Sequence, residues 1–112
     1  MKNPLRPKAI NFGPATYNIR YTYKLMSEDN SQKLNGVINY QAGVIELDPA
    51  VSDQSMIGTI WHEAMHFLIK QYGQESAINP GRLEDLVETL STGIQTVIRL
   101  NPKLVRFMED TL

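Results

Sequence analysis

His62 and His66 are the only histidines in the chain, and they fall four residues apart inside an apolar run from Ile57 to Ile69. A run of that length and spacing predicts a buried helix. On a helix, residues four apart stand one above the other on a single face, so both imidazoles can point at one spot. Neutral imidazole nitrogen binds Zn²⁺ at about 2.0–2.1 Å, and two donors one turn apart suit its tetrahedral geometry. Glu63, the next residue along, then lies beside the metal without binding it, placed to take a proton from a water that the metal activates. Trp61, Ala64, Met65, Leu68 and Ile69 supply the apolar packing that such a helix needs. The competing reading, two histidines merely hydrogen-bonded in a core or at a surface, is disfavoured because these flanks fit a metal helix.

The rest of the composition narrows the field. With 112 residues the chain is expected to form one domain, 1–112, around a single core. A net charge of −1 and a pI near 6.1 give no basic footprint, so no nucleic-acid partner is expected. The absence of cysteine removes disulfides and thiolate metal sites and fits a reducing compartment. No apolar run approaches the ~18 residues of a membrane span, and the basic start Met1–Lys8 lacks the apolar stretch of a signal peptide. A cytoplasmic protein with no membrane partner is the expectation.

Taken in order, residues 1–15 carry Pro4, Pro7, Pro14 and Gly13 and read as an irregular arm, either a disordered leader or a strap across the domain that buries Ile10 and Phe12. Tyr17 to Leu25 alternates, with Tyr17, Ile19, Tyr21, Tyr23 and Leu25 on one side, which predicts a half-buried strand. Val37–Tyr40 and Val44–Leu47 flank Gln41-Ala42-Gly43 as a hairpin. The three strands together predict a small antiparallel sheet. Ser52 or Asp53 is a natural N-cap for the histidine helix, which should run to about Tyr72 with Gly73 just beyond. A second helix should span Pro80 to Leu100, with Leu83, Leu86, Val87, Leu90, Ile94, Val97 and Ile98 as its core stripe and Ser91-Thr92-Gly93 as a small patch for close approach. Lys103–Leu112 suggests one more short helix. The class is therefore α+β.

Two histidines and a water leave a tetrahedral zinc one protein ligand short. The candidates are Glu75 in the connecting loop and Glu84, Asp85 and Glu88 on the second helix. At about 100° per residue, the centre of the apolar stripe lies roughly 100° from Glu84, 140° from Glu88 and 160° from Asp85. A ligand must border the buried face, which favours Glu84. Glu88, one turn later, is placed to hydrogen-bond the far nitrogen of a ligating histidine. The exchange of roles between Glu84 and Glu88 stays open.

With His62-Glu63-Ala64-Met65-His66 followed by Glu84-Asp85-Leu86-Val87-Glu88-Thr89-Leu90-Ser91, the chain resembles a gluzincin, over roughly residues 17–108. More narrowly, it is similar to the minimal zinc metallopeptidase-like proteins of phages and prophages, related to the ImmA/IrrE peptidase group. That group often reads E-x-x-A-N-x-F-A on the second helix. Here Glu84 matches the first position, and Val87-Glu88 stands where the Ala-Asn pair would be. The hairpin over Asn39–Leu47 and Asn101-Pro102 after the long helix also fit the phage type. The resemblance implies a minimal zincin-like fold, a small sheet packed on the metal helix with the C-terminal helix carrying the glutamate.

It also implies a zinc-dependent peptidase, an endopeptidase acting on a protein or peptide inside a bacterial host. His62, His66 and Glu84 would hold the metal and Glu63 would serve as general base. Such enzymes often place a His, Tyr or Arg against the oxyanion, and Tyr40, Tyr72 and Arg82 are the candidates, with no basis for choosing among them. The rival reading is a phage structural or adaptor module that binds metal without turnover.

Overall fold

The computed structural model describes residues 3–73 and 75–111, with the side chain of Glu75 outside the described set. The order of elements is β1 (Ala9–Asn11), β2 (Thr16–Tyr21), β3 (Gly36–Asn39), β4 (Val44–Leu47), α1 (Asp53–Gln71), a 3₁₀ turn (Glu75–Ala77), α2 (Pro80–Leu100) and α3 (Pro102–Thr111). The class is α+β. The sheet, however, has four strands in the order β1-β2-β4-β3, and it is mixed. β1 pairs with β2 and β3 with β4 antiparallel, while β2 and β4 run parallel with Ile19 opposite Ile45. The three-stranded antiparallel expectation is corrected on both counts. The arm contributes a strand of its own, and β4 inserts between β2 and β3.

β2 is also shorter than its alternating sequence suggests. It ends at Tyr21, and Lys24 takes a positive φ of 56° in the turn that follows. Tyr23 therefore leaves the buried stripe and is 66% exposed, while Leu25 is buried beyond the turn. The β3–β4 hairpin turns through Gly43, whose φ of +65° needs no Cβ.

β4 owes its burial to its central place. Ile45 and Leu47 have no exposed surface and point to the same side, as residues two apart on a strand must. They meet α1 through Met56 and Phe67, with Tyr17 of β2 completing the core. Complete burial of an Ile or Leu side chain contributes about 1.5–3 kcal/mol each. The arm closes over the edge of this core as a strap. Phe12 stacks on Phe67 with centroids 4.2 Å apart, and Tyr17 meets Phe67 edge-on at 5.2 Å. Arg6 clamps the strap down, its guanidinium donating to Asp53 Oδ1 and to the Pro49 and Val51 carbonyls at 2.7–2.9 Å.

Ser52 caps α1 by accepting from the Ser55 N–H, and Tyr72 ends it with Gly73 at φ +75°. Asn79 caps α2, with Pro80 in its first turn. The apolar stripe of α2 behaves differently along its length. Val87 is fully buried and Leu83, Leu86 and Ile94 are half-buried, but Leu90, Val97 and Ile98 are 39–51% exposed. That half of the stripe is a correction, since the sheet does not extend to cover it. Among the described residues, no helix is long and apolar enough to cross a membrane.

Candidate functional site

Two faces of α1 meet at the site. Met56, Ile60, Glu63 and Phe67 follow the 4-3-4 spacing of one helical stripe and look toward the sheet, so Glu63 is drawn under β3 and buried. His62 and His66 lie on the adjoining stripe with Ser55 and Thr59, turned toward α2. The 100° step between neighbouring helical residues thus divides the roles. The histidines face the second helix, and the carboxylate between them faces the interior.

From α2, Glu84 meets both histidines. Its Oε1 stands 2.7 Å from His66 Nε2 and its Oε2 3.4 Å from His62 Nε2. One donor atom from each of His62, His66 and Glu84 can be chosen so that all three lie within 4.8 Å of one another. Glu88, one turn on, accepts a hydrogen bond from the Nδ1–H of His62. A carboxylate at Nδ1 is the partner that a ring ligating a metal through Nε2 would need. Sequence reasoning named these four residues, and the fold brings all of them together. Asp85 goes elsewhere, into a depression shared with Ile78 and Arg82. Glu75 lies outside the described side chains.

Burial pushes the Glu63 carboxyl above its ordinary pKa range; His62 and His66 pull it down, Glu84 pushes it further up, and a hydrogen bond from the Ile38 backbone N–H pulls it down. The carboxylates of Glu63, Glu84 and Glu88 thus stand beside two imidazoles. A tetrahedral site with 2.0–2.1 Å bonds has donor–donor edges of about 3.3 Å. The 2.7 and 3.4 Å separations run to different oxygens of Glu84, and one donor atom from each of the three residues fits within 4.8 Å of the others. Two imidazoles and one carboxylate, with a second carboxylate on the far nitrogen of His62, form a group that could hold a metal ion.

A cleft of about 370 Å³ opens beside the site, lined by His62, Glu63 and Glu88 together with Asn35, Gly36, Ser55, Gly58, Thr59 and Ser91. Its floor is neutral and small. Gly36 makes it possible, because a Cβ there would stand 2.5 Å from Thr59 Cγ2 and 2.9 Å from Leu47 Cδ2, forcing β3 away from α1. None of the proposed oxyanion partners lines this cleft. The ring of Tyr40 lies under the Lys70 ammonium at 4.8 Å, Tyr72 ends α1 in solvent, and Arg82 borders the Asp85 depression. Sequence reasoning missed Ser55 and Thr59, although their spacing of seven and three residues before His62 puts them on its face. Asn35 gave no local signal, since only the hairpin's docking brings it there.

Comparison with protein-family models, with curated proteins and with solved structures finds no match.

Proposed function

We propose that the chain is a zinc-dependent hydrolase, a peptidase of the minimal gluzincin type related to phage and prophage proteins, working in the cytoplasm of a bacterial host. The observation that carries this reading is the buried Glu63 carboxylate beside a His62–His66–Glu84 donor set. A structural metal site needs ligands only. A carboxylate held next to the ligands, buried and raised in pKa, is what a general base requires, because a base poised nearer neutral pH transfers protons most effectively.

His62, His66 and Glu84 would hold the zinc, which when bound polarises a carbonyl and acidifies water. Glu63 takes the water's proton and returns it to the leaving amine. Glu88 keeps His62 in the tautomer and orientation that coordination needs. β3 is an edge strand of the sheet and begins at the cleft, so an extended peptide can add alongside it with its side chains over Gly36, Gly58 and Thr59. The small cleft and the lack of Tyr40, Tyr72 or Arg82 in it favour a second reading, a metal-binding phage adaptor without turnover.

Glu63→Gln separates the two readings. Both retain zinc in this variant, and a peptidase loses about 10²–10⁴ in rate on a mixed peptide library. Equal cleavage by parent and variant contradicts the general-base role.

A further inference from the structure

α3 is poorly used by its own chain. None of its residues is buried, and Leu104, Phe107 and Met108 are 46%, 67% and 47% exposed. These three fall within an arc of roughly 100° on the helix, a complete apolar stripe. The last turns of α2 continue the apolar surface with Val97, Ile98 and Leu100, exposed by 51%, 39% and 67%. Apolar exposure on this scale matches the largest patch of a typical monomer, which is often a functional surface.

The charges on α3 say what covers it. Lys103 and Asp110 are seven residues apart, so they share one edge of the apolar stripe. Both are exposed, and among the described residues neither has an ion-pair partner within the chain. When two identical helices pack antiparallel, like edges face each other. Lys103 then meets Asp110 of a second copy, and Asp110 meets Lys103, so the two-fold axis doubles each contact. We propose that the chain forms an isologous homodimer in which two α3 helices pack antiparallel through Leu104, Phe107 and Met108, flanked by the apolar end of α2.

At roughly 150–200 Å² per large apolar residue, these six residues expose about 500–600 Å² per chain, so a two-fold contact can bury at most about 1,000–1,200 Å², the lower end of specific interfaces. The apolar stripe supplies the affinity and the ion pairs set the direction, since exposed pairs add little stability. α3 begins about 27 Å along the helical path from Glu84, which leaves the metal-site face clear.

Light scattering after size exclusion, from about 5 to 200 µM protein, tests this across the micromolar range of a weak dimer. The expected mass rises from 12.7 kDa toward twice that value. Phe107→Glu, at an exposed position, holds it at 12.7 kDa with the circular dichroism unchanged. Lys103→Asp weakens association on the order of tenfold, and adding Asp110→Lys restores it. A monomer over the whole range overturns self-association and leaves the face to a different protein. A dimer indifferent to Phe107→Glu overturns the surface, and failure of the double exchange to restore association overturns the antiparallel direction.

Discussion

The two halves of the second helix share one apolar pattern and meet opposite fates. In its first half, Val87 has no exposed surface and Glu84 and Glu88 reach the α1 histidines, because α1 lies across it and the sheet backs α1. In its second half, Val97, Ile98 and Leu100 continue the pattern with no second layer over them, and α3 adds more apolar surface. The shape reflects this. The radius of gyration is 14.8 Å, against about 13 Å for a compact chain of this length. Periodicity states which face is apolar, and only topology states what covers it.

Trimming the core beneath the first half and the open surface beyond the second should have unequal effects. Ile45→Ala, beneath the first half, should cost roughly 2–5 kcal/mol in urea unfolding, because the cavity cannot collapse between two flanking strands. Saturating zinc should act on the same half, raising stability by about 2.7 kcal/mol at a hundredfold excess over Kd and leaving Glu84→Ala unaffected. Glu88→Ala, which frees His62 Nδ1 without removing a ligand, should weaken zinc binding about 10- to 100-fold by titration calorimetry.

Acid should loosen the sheet end of α1 next. The Ala50 N–H donates to the buried Asp48, and the Lys33 ammonium 3.3 Å away adds to this, holding its carboxyl below the ordinary range. A pKa lower in the folded than in the unfolded chain gives stability that is complete above about pH 4 and lost as pH falls through the folded value. Asp48→Asn should flatten that part of the stability–pH curve. The smallest effect belongs to the open half: Phe107→Ser should change the unfolding free energy of the dilute monomer by no more than about 0.5 kcal/mol.

What the sequence made legible was local. Ser52, Gly73, Asn79 and Pro80 mark helix ends because capping and proline act within a turn. The four-residue spacing of His62 and His66, and the helical angle of Glu84, likewise bring the site together from short-range geometry. The parallel pairing of β2 with β4 had no such signal, since it joins residues some 26 apart with a hairpin strand between them in sequence. β1 hid among prolines, and the alternation through Tyr23 and Leu25 outlasted the strand because a turn at Lys24 interrupts the backbone without disturbing the pattern.

The most direct measurement is the metal content of the purified chain and of its Glu84→Ala and Glu88→Ala variants, after dialysis against zinc and then buffer. Near one zinc per chain is expected in the parent, none with Glu84→Ala, and retained but more readily chelated zinc with Glu88→Ala. No zinc in the parent, or full zinc with Glu84→Ala, would contradict the proposed site.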